Sequence, residues 1–109
     1  MQYSNIFSRL FHATRYSLEG LYHALRHEQA FRYEFIVFMI IIFLTRSVIL
    51  TGSWCVVMCI ELINSSVEKA FDLIDKNFRP EIKAGKDMLS AAVFIAVCFN
   101  IVLWFVMLL

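Results

Sequence analysis

Residues 54–72 read WCVVMCIELINSSVEKAFD, and four polar residues written into that apolar run decide how the whole chain is read. Glu61, Asn64, Glu68 and Asp72 stand at offsets 0, 3, 7 and 11. At roughly 100° per residue, all four fall on one face of a helix. Three carboxylates on one face of so apolar a segment are costly, and residues of that kind mark a pathway or a site.

The surroundings of that segment make it a membrane helix. The chain has 109 residues, enough for one domain, and 61% of them are hydrophobic. A mean hydropathy of +0.70 is well above that of a soluble domain. Net charge is only +1, which argues against nucleic acid as a partner. Between residues 35 and 60 the only charge is Arg46, and residues 88–109 carry none. Cys55, Cys59 and Cys98 all sit in apolar runs without nearby histidines and read as packing residues.

Residues 5–26 read as an amphipathic helix rather than a secretory signal, with Ile6, Phe7, Leu10, Phe11, Leu18, Leu21, Tyr22 and Leu25 at 3–4 spacing. Arg9, His12, Arg15, Glu19 and Arg26 cluster on the other side. Such a helix lies flat on a membrane surface or packs on the rest of the protein, and both can hold together. Three spans follow, at about residues 29–44, 48–71 and 86–109. The first has an apolar core of only 10 residues, so Arg32 and Glu34 must lie near the interface and snorkel. Residues 45–47 are the first candidate for its turn and residues 51–53 a weaker one. Residues 72–85 are polar, hold the only proline, and read as a loop or a broken helix. Lys and Arg gather before the first span and between the second and third, which puts the N-terminus in the cytoplasm. Three helices cannot enclose several carboxylates, so an oligomer with its polar faces inward is expected.

Glu61 is the deepest acid. Desolvation disfavours its charged form, as suits a general base, although a structural carboxylate bonded to a neighbouring helix reads equally well. Glu28 and Glu68 reach similar depth and could share a Mg²⁺ with phosphate oxygens, against the plainer reading of interface charges. Lys86-Asp87 opens the third span as a phosphate contact or a boundary pair. With glycines only at positions 20, 52 and 85, neither GxxxxGK[ST] nor GxGxxG is present.

Taken together, these residues resemble the small prokaryotic diacylglycerol kinase family, which includes undecaprenol kinases. Residues 61–72, ELINSSVEKAFD, are similar to its signature ExxN[ST]xxExxxD, and residues 84–93, AGKDMLSAAV, to its KD…SAAV block. Residues 16–21, YSLEGL, and 28–34, EQAFRYE, resemble its N-terminal blocks. The resemblance implies an all-α homotrimer of three-span protomers with a surface helix. It implies active sites shared between subunits at the cytoplasmic face of a bacterial inner membrane, and transfer of the γ-phosphoryl of MgATP to a lipid hydroxyl. By the same resemblance Glu61 is the base and Asn64 its polar partner, and Glu28 and Glu68 are metal–phosphate carboxylates. Arg9, Tyr16, Lys86 and Asp87 are nucleotide-site residues, and Glu34 and Asp72 support them. Ser90 and Trp104 contact lipid, together with Arg9 and Glu61. Residues 77–80, NFRP, stand where the family often has an acidic-aromatic-His stretch, so Asn77 and Arg79 are the ATP contacts expected from that loop. The lipid expected is diacylglycerol, with undecaprenol as the alternative. A more remote alternative is a non-enzymatic proton- or cation-translocating oligomer built around Glu61.

Overall fold

The computed structural model describes residues 5–74, 77 and 79–109. The described residues form four helices, α1 (Ile6–His27), α2 (Gln29–Leu44), α3 (Val48–Ile74) and α4 (Pro80–Leu108), with no strand among them. The Asn5 side chain opens α1 by accepting from the Ser8 amide at 2.8 Å. Arg26 and His27 occupy its last turn, where the helix dipole favours positive charge. Glu28 is extended (φ −106°, ψ 107°), so α1 stops there and α2 starts afresh at Gln29. Arg32 turns back across this break and donates to the carbonyls of Leu25 (3.0 Å) and Arg26 (3.2 Å). It thereby satisfies helix-end acceptors that would otherwise need water.

Helix α2 ends at Leu44 and α3 begins at Val48, so residues 45–47 are the turn expected. Two hydroxyls hold it: Thr45 Oγ1 accepts from the Ser47 amide at 3.1 Å, and Ser47 Oγ from the Leu50 amide at 3.2 Å. Over residues 72–85 the structure takes the broken-helix alternative rather than the loop. Helix α3 continues to Ile74, and α4 already starts at Pro80. Proline at the first helical position gives up an amide with no intrahelical acceptor, so Pro80 starts a helix rather than breaking one. Glu81 in the first turn and the Lys83–Asp87 pair (2.6 Å) add support. Lys76 lies outside the described residues.

Helix α3 packs against α2 on one side and α4 on the other, while α1 lies mainly against α2. The whole measures 47 × 44 × 22 Å. Among the described residues only Ala24, Phe31, Ile41, Leu50, Val57, Glu61, Asn64 and Asn100 are buried. Large apolar side chains stand bare along α1 (Ile6, Phe7, Leu10, Phe11) and along α4 (Phe94, Ile95, Phe99, Phe105). The protomer therefore does not bury its own apolar surface and needs another apolar phase to cover it. Helices α3 and α4 are each long and apolar enough to cross a bilayer.

Candidate active site

The polar face predicted from residues 61–72 exists as a structural unit on α3. Glu61 lies midway along the helix, 7% exposed, at the end of its apolar half. The Ser65 side chain, one turn on, is hydrogen-bonded to its carboxylate. Asn64 is 8% exposed, and its Oδ1 is buried without a hydrogen-bond partner among the described residues. Such an acceptor is costly to leave bare and suits a donor arriving from outside the protomer.

Two helices bring further charge to this face. The α1–α2 break places Glu28 within electrostatic reach of Glu61, as Glu68 is from the next turns of α3. From α2, Glu34 approaches Glu61, with its Oε1 buried and unpartnered among the described residues. Glu34 therefore faces α3. The indole Nε1 of Trp54 donates to the Glu34 carbonyl at 2.8 Å and fixes α2 against α3. On α4, the Lys86 ammonium lies 2.8 Å from Asp72 Oδ1 and within reach of Glu68. Gly85 makes that approach possible: a Cβ there would come within 2.7 Å of the Phe71 ring. One chain thus gathers Glu28, Glu34, Glu61, Glu68, Asp72 and Lys86.

Beside this face, between α1 and α3, opens a cavity of about 770 Å³ lined by Ser17, Gly20, His23, Glu28, Ser65 and Lys69 among others. Lys69 is a residue the sequence reading missed. It lies off the Glu61–Asp72 line, yet its ammonium forms an ion pair with Glu28. The signal was present as a lysine beside Glu68, but its partner depends on the backbone break at Glu28.

Other expected site residues lie elsewhere. Arg9 is exposed near the start of α1, about 28 Å along the helix from Glu28. Tyr16 stacks on His12, ring centroids 6.1 Å apart. Asp87 pairs with Lys83, while its neighbour Lys86 pairs with Asp72. Ser90 is exposed one turn beyond Lys86, and Asn77 is exposed between α3 and α4. Arg79 is the N-cap of α4. Trp104 is half-buried but about 27 Å along α4 from Lys86. The protomer does not bring Arg9 or Trp104 to the carboxylates.

A buried carboxylate backed by flanking acids and a lysine is chemistry for activating a hydroxyl beside a cation-bound polyanion. Residues 15–108 match the family model described as prokaryotic diacylglycerol kinase. The chain belongs to the prokaryotic diacylglycerol kinase family. A Haemophilus influenzae protein named diacylglycerol kinase is 36% identical over 105 residues, spanning 89% of each chain. A Helicobacter pylori (strain 26695) protein of the same name is 39% identical, over 90% of this chain and 83% of its own. One from Escherichia coli K12 is 32% identical, over 94% of this chain and 90% of its own. The matched region of this diacylglycerol kinase family member contains every acid of the cluster, but it begins after Arg9.

Whether a metal ion fits can be judged from the donors. No group of three or more metal-ligating side chains occurs among the described residues. Two carboxylates, Glu28 and Glu68, flank Glu61. That is the donor set expected for Mg²⁺, which keeps most of its shell for water and phosphate oxygens. The residues present fit such an ion arriving with a nucleotide.

Proposed function

We propose that this protein phosphorylates the hydroxyl of diacylglycerol with ATP, giving phosphatidic acid at the cytoplasmic face of a bacterial inner membrane. The observation that carries the reading is the convergence of Glu28, Glu61, Glu68 and Lys86 in a chain of this family. The relatives' shared name favours diacylglycerol over undecaprenol as the lipid. A translocating oligomer would give Lys86 and the Glu28–Glu68 pair nothing to do.

In this reading Glu61 accepts the proton of the lipid hydroxyl, and Asn64 orients that hydroxyl by donating from its side-chain amide N–H to the hydroxyl oxygen. Glu28 and Glu68 would hold the Mg²⁺ that comes with ATP, which would supply neutralisation of phosphate charge. Lys86 releases Asp72 in part to contact the phosphate tail, with Asp87 beside it. Glu34 and Asp72 hold the charge balance of the cluster. Tyr16 offers an aromatic face to the nucleotide, and Asn77 and Arg79 reach it from between α3 and α4. Ser90 and Trp104 lie along the acyl chains. Arg9, remote from the cluster of its own chain, serves the site of a neighbour, which is why we read the protein as a homotrimer with shared sites.

The chain is one domain with three spans. Helix α2, with 16 residues, is the shortest. It crosses with the help of its flanking turns, and α1 lies on the cytoplasmic surface with its bare apolar face in lipid. The N-terminus is cytoplasmic, where ATP is.

The test is transfer of radiolabelled phosphate from ATP, with Mg²⁺, in mixed micelles containing diacylglycerol or undecaprenol. Labelled phosphatidic acid is the expected product. Label on undecaprenol alone would replace the lipid, and label on neither would end the kinase reading.

A further inference from the structure

Lys69 is a cation that the reaction described above does not use. It lines the cavity between α1 and α3 with Ser17, Ser65 and Ser66, and its ammonium rests on Glu28 at the cavity's edge. Ser17 donates to the Ala13 carbonyl at 2.8 Å and Ser65 is bonded to Glu61, which leaves the Ser66 hydroxyl and the Lys69 ammonium as the donors this opening offers an oxyanion. The two partners differ in freedom. The Lys69 side chain is 53% exposed and that of Glu28 23%, so the lysine head can leave without uncovering apolar surface while the carboxylate stays in place. Glu28 spends no side-chain bond on capping α2, although it is the N-cap residue. Its charge is answered instead by Lys69, in the position a metal ion would take.

We propose that Lys69 is a further phosphate-contacting residue, parked on Glu28 in the nucleotide-free protein. A divalent cation and the lysine compete for one carboxylate. When the cation takes Glu28, the freed ammonium turns into the cavity onto phosphate oxygens, its flexible four-carbon stem spanning the change. The exchange keeps Glu28 neutralised throughout and delivers a positive charge as the polyanion arrives. This rests on the reading of Glu28 as a divalent-cation carboxylate.

The test uses full-length protein in mixed micelles and two binding measurements. Mn²⁺ binding without nucleotide is read by electron paramagnetic resonance. Binding of a γ-blocked ATP analogue is read at saturating Mg²⁺. With Lys69→Met, Mn²⁺ should bind about threefold to tenfold tighter, because its competitor is gone, and the analogue about threefold to tenfold weaker, because a half-exposed phosphate contact is lost. Lys69→Arg should restore analogue binding. A pair that merely ties α2 to α3 would weaken both or change neither, and either result overturns the proposal. Lys69→Gln gives the same readout if the Met variant does not fold. Glu28→Gln separates the two ideas. Unchanged Mn²⁺ affinity there removes Glu28 as a metal carboxylate, while the Lys69 phosphate contact is still judged from the analogue alone.

Discussion

Replacing Glu61 with glutamine is the sharpest test of the site, because the structure predicts that chemistry is lost and almost nothing else. Glutamine matches glutamate in shape, so a position only 7% exposed should accept it without a cavity. The side-chain bond with Ser65 survives, since an amide oxygen still accepts from a hydroxyl. The charge lost is one that Glu28, Glu68 and Glu34 all repel, so the fold gives up no favourable ion pair at Glu61. Affinity for a polyanionic nucleotide should hold or rise slightly for the same reason. What the amide cannot do is take the hydroxyl's proton. A general base is worth roughly 10²–10⁴-fold, or about 3 to 5 kcal/mol of transition-state stabilisation. The loss should therefore appear in kcat, with thermal midpoint and analogue binding near wild type. Phosphate transfer to diacylglycerol in mixed micelles measures the first, and melting in detergent and titration of a γ-blocked ATP analogue measure the others. If Glu61→Gln kept more than about half of wild-type kcat, Glu61 would not be the base. If analogue affinity instead fell by about tenfold or more, Glu61 would belong to nucleotide binding.

Three further outcomes are expected. Glu28→Gln and Glu68→Gln should each raise the Mg²⁺ concentration needed for activity, and the double variant should fall far short of the product of the two effects, because they share one ion; full additivity would separate the two carboxylates. Mixed oligomers of Glu61→Gln with Glu28→Gln protomers should remain inactive, since one chain holds both residues in one cluster, whereas Glu61→Gln mixed with Arg9→Glu should regain activity; the opposite pattern would reassign which chain supplies Glu28. Gly85→Leu should drive the Phe71 ring from α4 and cost about 1 to 3 kcal/mol of stability with a matching loss of activity, and adding Phe71→Ala should recover part of both; an unchanged melting midpoint in the single variant would mean that α3 and α4 do not meet closely there.

What the sequence discloses about this site follows from the range of the rule applied. The Glu61–Asp72 face is legible because helical period is a property of one segment and needs no partner. The turn at residues 45–47 is legible because charge and small polar residues interrupt two apolar runs there. At residues 72–85 a loop and a broken helix read alike, because polarity alone does not separate a solvated helix end from a loop. Pro80 stops a helix or starts one depending on where the preceding chain already ended. Lys69 is illegible for a different reason: its partner sits 41 positions away, and the pair exists only because Glu28 is held extended between two helices. Gly85 is similar, since its meaning is the ring of Phe71 on another helix.

The bare atoms of the protomer point the same way as its bare surfaces. Asn64 Oδ1 and Glu34 Oε1 are sealed from solvent by their own chain, without a hydrogen-bond partner among the described residues. Unpaired acceptors at that depth cost more than any packing around them returns, so such positions persist where something else completes them. Exposed apolar faces on α1 and α4 can be covered by lipid, which is indifferent to sequence. A bare amide oxygen beside a buried carboxylate cannot, because acyl chains donate nothing. It needs a donor, and a lipid hydroxyl whose single proton goes to Glu61 cannot also be that donor, so an N–H or O–H of a neighbouring protomer is the partner that would complete Asn64. In the proposed homotrimer a neighbour would thus complete the polar core that the protomer leaves open, on the same face of α3 that carries Glu61.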